Sequence, residues 1–147
     1  DVYKRQLQGL IWKDGYESGD LKAPIYDDVK PAMERWTTEG KHVCIYSSGS
    51  VLAQKLLFRH TNEGDVTNLL SGYFDTTSGA KVESGSYETI AKALDVEPEE
   101  ICFLSDRVAE LDAAVEVGVC VGLIVRPGET EPENSADYPE FGDFATI

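Results

Sequence analysis

The sequence predicts a three-layer α/β/α fold built on a mostly parallel sheet. Apolar runs typical of strands alternate with amphipathic runs typical of helices from residue 28 to residue 128. The strand-like runs lack a clean apolar–polar alternation, which indicates strands that are covered on both faces. This order of elements predicts right-handed βαβ units with helices on both sides of the sheet. With 147 residues, of which 41% are hydrophobic, the chain has the size of one domain with its own core.

The predicted elements begin with a helix over residues 28–40, followed by a buried strand over residues 42–47. The helix carries Pro31 in its first turn, where the missing N–H costs little, and its last residue is a glycine. Its apolar stripe consists of Val29, Ala32, Met33 and Trp36. Ser50 is a natural N-cap for the next helix, which we expect over residues 51–61.

The second half of the chain contains a short strand near Tyr73, then two helices and two buried strands. The predicted helices cover residues 84–94 and 108–118, and the predicted strands cover residues 101–106 and 119–128. Gly118 closes the last helix, and a Pro-Gly pair stops the last strand. Residues 7–26 indicate a short helix and an extended link, and the tail from Glu129 shows little periodicity.

The net charge of −14 argues against nucleic acid or an anionic membrane as a partner, because phosphate groups would be repelled. No apolar run approaches the roughly 20 residues that span a bilayer, and the first residues lack the apolar centre of a signal peptide. We therefore expect a cytoplasmic protein. The cysteines Cys44, Cys102 and Cys120 lie in apolar runs without CxxC spacing. They are interpreted as reduced, buried thiols rather than as zinc ligands or a disulfide.

Polar residues follow two of the predicted strands, at the edge where parallel α/β sheets bind ligands. Ser47, Ser48 and Gly49 follow the first strand. Serine hydroxyls and backbone N–H groups at a helix N-terminus can donate hydrogen bonds to a phosphate. The same stretch can instead be an ordinary turn in which Ser48 or Ser50 only caps the following helix.

An aspartate and a lysine are the other candidate site residues. Asp106 ends the second buried strand and Glu110 follows four residues later, so their carboxylates could hold or surround Mg²⁺. Alternatively, Asp106 caps the next helix and Glu110 complements the dipole in its first turn. Lys81 precedes a helix and can neutralise a phosphate or a nucleophilic carboxylate, or it can be an ordinary surface lysine.

Taken in order, these residues resemble motifs two, three and four of the haloacid dehalogenase-like phosphotransferase superfamily. Several strings are similar to those of its enolase-phosphatase E1 (acireductone synthase) family: YSSGS at 46–50, AQKLLF at 53–58, KVES at 81–84 and VRPG at 125–128. An upstream string, QGLIW at 8–12, is similar as well, so the resemblance covers about residues 7 to 128.

The resemblance implies a Rossmann-like, haloacid dehalogenase-like core in residues 28–147 that lacks its first strand. Residues 1–27 would be the remnant of a helical cap with its linker, and residues 1–6 would be foreign sequence. The implied reaction, in methionine salvage, converts the small phosphorylated diketone 2,3-diketo-5-methylthiopentyl 1-phosphate to acireductone and phosphate. It would proceed with Mg²⁺ through an aspartyl-phosphate.

The resemblance also implies a role for each candidate residue. Ser47, Ser48 and the amide of Gly49 would hold the substrate phosphate. Lys81 would bind the phosphate and steady the nucleophile. Asp106 would be a Mg²⁺ ligand, with Glu110 in the outer shell of the metal.

One family feature is missing from the sequence. The D-x-[DE]-G-T motif, which carries the nucleophile and the acid/base residue, does not occur in these 147 residues. We therefore expect a fragment that is catalytically inactive alone and exposes apolar strand edges, and a monomer at full length. The alternatives are another haloacid dehalogenase-like small-molecule phosphatase and a non-catalytic α/β binding module.

Overall fold

The computed structural model describes residues 22–129, 132, 137–145 and 147. The chain divides into two compact units, Asp1–Asp75 and Thr76–Ile147. The predicted foreign segment, and residues 7–21 of the predicted short helix and link over residues 7–26, lie outside the described residues. No helix in the described ranges is both long and apolar enough to cross a membrane.

The first unit contains two helices and a pair of parallel strands. Its elements are α1 (Val29–Thr38), β1 (Cys44–Tyr46), α2 (Val51–Arg59) and β2 (Gly72–Phe74), with a 3₁₀ turn at Thr67–Leu69. β1 and β2 pair in parallel, with Cys44 opposite Gly72 and Tyr46 opposite Phe74. The buried apolar side chains of this unit are Ala23, Ala32, Met33, Leu56 and Val66.

The second unit contains a three-stranded parallel sheet with two helices. Its elements are α3 (Ser84–Leu94), β3 (Cys102–Ser105), α4 (Val108–Glu116), β4 (Cys120–Ile124) and β5 (Glu140–Phe141). The strand order is β3-β4-β5. Helix α4 packs against β3, β4 and α3. The ring of Tyr87 on α3 meets the ring of Phe103 on β3 edge-on, with centroids 5.1 Å apart. These contacts bury Leu111, Ala114 and Leu123 completely.

The predicted α/β class and the parallel pairing of strands are confirmed. Helix α3 has the predicted bounds, because its apolar face and its local signals agree. Gly40 and Gly118, predicted to close α1 and α4, both adopt left-handed φ angles, +83° and +98°. Among the described residues, β1 pairs only with β2, and β3 pairs along one edge with β4.

Strand β5 was not predicted from the sequence. It consists of two residues, and its register is set by β4, with Leu123 opposite Glu140 and Ile124 opposite Phe141. Phe141 packs where β4 has a glycine: a Cβ on Gly122 would lie 3.0 Å from the ring. The missing side chain at Gly122 therefore makes room for the third strand.

The predicted burial of the cysteines is wrong for two of the three. Cys102 and Cys120 are exposed, and Cys44 is half-buried; all three lie in the described residues, and none forms a disulfide. Cys102 and Cys120 are the first residues of β3 and β4, at the edge of the sheet where the strands begin. The apolar runs identified the strands correctly, but Cys102 and Cys120 are exposed because each lies at the end of its strand. Burial raises the pKa of the Cys44 thiol.

The serines around the start of α2 allow a matched stability test. The side chain of Ser50 accepts a hydrogen bond from the N–H of Ala53 at 3.1 Å, which confirms it as the N-cap. We expect Ser50→Ala to lower the free energy of unfolding by about 1 kcal/mol. Ser48→Ala is the control, because Ser48 is exposed and makes no hydrogen bond with any described residue. Urea unfolding measures both, and equal losses would contradict the assignment.

Candidate functional site

The serine stretch, residues 47–50, directly follows β1 and is hydrogen-bonded to the end of β2. The N–H of Ser47 donates to the carbonyl of Phe74 at 3.1 Å, which extends the pairing of the two strands by one bond. The N–H of Gly49 donates back to Oγ of Ser47 at 3.2 Å. Ser48, between them, is exposed. Among the three predicted phosphate ligands, the hydroxyl of Ser48 makes no hydrogen bond with any described residue, whereas the amide of Gly49 already donates to Ser47.

The N-terminus of α2 already faces a carboxylate. Oδ2 of Asp75, the residue after β2, accepts a hydrogen bond from the N–H of Val51 at 3.3 Å. A negative group is favoured there by the partial positive charge of the helix end. Asp75 was not among the residues predicted from the sequence, although its position directly after a strand is the signal that could have found it. The cap interpretation is right for Ser50 and wrong for Ser48.

A buried glutamine is hydrogen-bonded to the serine stretch. Nε2 of Gln54 donates to the carbonyl of Gly49 at 2.9 Å and to the carbonyl of Phe74 at 2.8 Å. Gln54 is 5% exposed, and its Oε1 has no hydrogen-bond partner among the described residues. It lines a small pocket of about 180 Å³ together with Ile45, Ser47, Gly49, Ala53, Leu57 and Phe58. Gln54 thus ties the loop after β1 to the end of β2.

In the second unit, Lys81 is held by a buried acid. Nζ of Lys81 lies 2.8 Å from Oε1 of Glu110, whose side chain is 2% exposed, whereas that of Lys81 is 26% exposed. The hydroxyl of Ser105, at the end of β3, donates to Oε2 of the same carboxylate at 2.8 Å. Lys81 and Ser105 thus each satisfy one oxygen of the buried Glu110 carboxylate. Lys81 is therefore not an ordinary surface lysine, because its ammonium is paired with a buried acid.

The backbone around Lys81 is fixed by the helix that follows it. Oγ of Ser86 donates to the carbonyl of Ala80 at 2.7 Å, and the hydroxyl of Tyr87 donates to the carbonyl of Lys81 at 2.5 Å. Gly79 adopts φ +121°, and a Cβ on it would lie 2.1 Å from Oγ of Ser86. Glycine is required at this position both by the backbone angle and by the close approach of Ser86.

Asp106 does not cap α4. The N-cap residue of that helix is Arg107, which makes no side-chain cap bond, and the N–H of Arg107 donates instead to Oγ of Ser105 at 3.1 Å. Asp106 is exposed and forms no ion pair or hydrogen bond with any described residue. Glu110 does lie in the first turn of α4, but its carboxylate is buried against Lys81 and Ser105 rather than facing solvent.

The structure brings Lys81, Glu110 and Ser105 into one cluster, with Asp106 next to it in the chain. Ser47, Ser48 and Gly49 lie in the first unit, and Lys81, Asp106 and Glu110 lie in the second. Within the described residues, no three His, Cys, Asp or Glu side chains are grouped so that they could hold a metal ion. A single exposed carboxylate still fits Mg²⁺, which often binds proteins through one or two carboxylates and keeps several waters.

Comparisons with known proteins give one consistent set of relatives. A family model described as haloacid dehalogenase-like hydrolase matches residues 5–118. Enolase-phosphatase E1 of Sorangium cellulosum (strain So ce56) is 50% identical over 143 residues, an alignment that covers 96% of this chain and 62% of that protein. Enolase-phosphatase E1 of Anopheles gambiae is 48% identical over 145 residues, covering 97% of this chain and 49% of that protein.

A solved structure agrees with these relatives. The crystal structure of the UTR4 protein (Unknown transcript 4 protein) of Saccharomyces cerevisiae is similar with a TM-score of 0.88 and 41% sequence identity. The alignment covers 100% of this chain and 67% of that one. The chain therefore spans about half to two thirds of the length of these three relatives.

From the buried ion pair we expect strong energetic coupling between Lys81 and Glu110. Lys81→Met leaves the Glu110 carboxylate buried without a counter-charge, and breaking a buried pair from one side costs about 3–5 kcal/mol. Because Lys81 is partly exposed, we expect a loss of about 3 kcal/mol in the free energy of unfolding. Adding Glu110→Gln should recover part of that loss in a urea-unfolding double-mutant cycle.

The matched control for this cycle is Lys92→Met, which removes an exposed lysine from α3 and should change stability little. Costs of Lys81→Met and Glu110→Gln that simply add would contradict the coupling.

Proposed function

The chain belongs to the haloacid dehalogenase-like hydrolases, and on this premise we propose that it carries the phosphate- and metal-binding part of a phosphoric monoester hydrolase. The observation that carries the proposal is the contrast between two neighbouring acids. Glu110 is buried and holds Lys81 in place, whereas Asp106 is exposed and uncommitted within the described residues. That arrangement supplies a fixed cation and an available carboxylate at one end of β3.

For the substrate, we propose the small phosphorylated diketone 2,3-diketo-5-methylthiopentyl 1-phosphate, converted to acireductone and phosphate in methionine salvage. Support comes from the identities of 50% and 48% to proteins named enolase-phosphatase E1. The net charge of −14 favours a small substrate bound by local cations over a nucleic acid. We further propose that the full-length enzyme is cytoplasmic and monomeric.

Each residue has a role that follows from its surroundings. Ser48 donates its uncommitted hydroxyl to a phosphate oxygen, and Ser47 and Gly49 set the turn that presents it. Lys81 places its ammonium against the phosphate oxygens, because phosphoryl transfer depends mainly on positioning and on neutralising charge. Glu110 acts as a positioning residue through its contact with Lys81.

Asp106 is the residue that would hold Mg²⁺, because its carboxylate is exposed and Mg²⁺ often binds proteins through one or two carboxylates. Bound Mg²⁺ would neutralise phosphate charge and act as a Lewis acid toward the diketone oxygens. In the proposed reaction the attacking aspartate comes from a D-x-[DE]-G-T motif, which these 147 residues do not contain. The polypeptide of these residues alone is therefore proposed to be inactive.

Activity assays test this proposal at two levels. We expect the 147-residue polypeptide to release no phosphate from the diketone phosphate with Mg²⁺, and the full-length gene product to do so. In the full-length protein, Lys81→Ala and Asp106→Asn should each lower kcat/KM about a hundredfold or more, because each removes charge stabilisation in the transition state. Lys92→Met is the matched control, since Lys92 is exposed on α3 and is not a candidate site residue.

Three outcomes would contradict parts of the proposal. Lys81-dependent phosphate release by the 147-residue polypeptide would contradict its inactivity. Faster hydrolysis of another phosphometabolite by the full-length protein would assign a different small-molecule phosphatase. No hydrolysis at all, together with Mg²⁺ binding that Asp106→Asn leaves unchanged in calorimetry, would favour a binding module.

A further inference from the structure

Two cysteines lie side by side at the start of the second sheet. Cys102 and Cys120 are the first residues of β3 and β4, and they are directly paired in the parallel register. Successive side chains alternate between the two faces of a strand, so directly paired residues of neighbouring parallel strands project from the same face. Both cysteines are exposed. The sheet thus presents two thiols together at its surface.

The spacing of the strands matches the geometry of a disulfide. Neighbouring strands lie about 4.7–4.9 Å apart in the hydrogen-bonding direction. Disulfides join residues whose Cα atoms are about 4.4–6.8 Å apart. No movement of one strand relative to the other is needed to bring the two Cα atoms into this range. Among the described residues, the sulfur of Cys120 makes one hydrogen-bond contact, a long one of 3.8 Å to the carbonyl of Glu99, which leaves the sulfur able to reorient.

We propose that Cys102 and Cys120 form an oxidation site, which hydrogen peroxide converts to an intramolecular disulfide. One thiolate attacks a peroxide oxygen, the O–O bond breaks, and a sulfenic acid and hydroxide result. The second thiolate attacks the sulfenic sulfur, forms the S–S bond and expels hydroxide. Protons from the two thiols convert both hydroxides to water. One peroxide is reduced to two waters while two thiols are oxidised to one disulfide.

Cys44 provides the internal contrast. It is half-buried in the other unit, and burial raises the pKa of its thiol, which lowers the fraction of reactive thiolate. Its Sγ also lies 3.3 Å from the position of a Cβ on Gly72, so it packs against β2. Cys44 should therefore react with peroxide more slowly than the surface pair.

The disulfide would close a covalent ring that contains the acids of the candidate site. The ring runs from Cys102 through α4 to Cys120 and includes Ser105, Asp106 and Glu110. A cross-link restricts the unfolded chain more than the folded one, so it stabilises the fold. Oxidation at the start of the strands would thus stabilise the segment that carries Glu110, the partner of Lys81, against unfolding.

Peptide mapping of the peroxide-treated 147-residue protein tests the proposal. We expect a Cys102–Cys120 disulfide within one chain, a mass lower by two hydrogens, a higher urea midpoint, and reversal of all three by dithiothreitol. Differential alkylation of the unmutated protein gives the pairing without relying on any variant. A map that pairs Cys44, a disulfide between two chains, or separate sulfinic acids at Cys102 and Cys120 would overturn the proposal.

Variants sharpen the result. Cys44→Ser should leave the mass change and the midpoint shift intact, whereas Cys102→Ser and Cys120→Ser should each abolish both. A midpoint shift that persists in Cys102→Ser would also count against the pair. None of these readouts depends on phosphatase activity.

Discussion

The burial of one carboxylate ties three segments of the second unit together. Glu110 is 1% exposed, and a buried carboxylate without partners costs several kcal/mol. Its partners come from two other places, the loop before α3 and the end of β3. Any rearrangement that separates these elements would leave a charge or a hydroxyl unsatisfied. The position of the Lys81 ammonium is therefore set by the fold itself, before any ligand arrives.

Much of this framework could be predicted from the sequence because its signals are local. The bounds of α3, the cap at Ser50 and the closing turns at Gly40 and Gly118 each depend on residues within a few positions of one another. The order of strands and helices then limits the topology to parallel pairing. The same order indicates which stretches to propose as ligand-binding, since the ends of such strands are the binding edge of the fold class.

The remaining features depend on contacts between distant segments, and local patterns do not encode these. In the sequence, Glu110 has the pattern of an ordinary acid in the first turn of a helix, and only the fold shows its contact with Lys81. Gln54 has the pattern of a polar residue on a helix surface, yet it is buried. Its side-chain amide donates to the carbonyls of Gly49 and Phe74, which belong to separate segments. Cys102 and Cys120 sit in apolar runs, but their exposure depends on where each strand begins. Strand β5 takes its register from its pairing with β4, a distant segment.

The hydrogen bonds of the serine stretch would make the binding of an anion there an exchange reaction. The amides of Gly49, Val51 and Ala53 already donate to Ser47, Asp75 and Ser50. Asp75 is thus an internal competitor for any anion that uses the N-terminus of α2. A singly charged ligand gains little over the carboxylate it displaces, whereas a doubly charged phosphate monoester gains additional Coulomb energy. A loop with these hydrogen bonds would therefore discriminate between anions by ionic charge, and lowering the pH to protonate the phosphate ester once would weaken that preference.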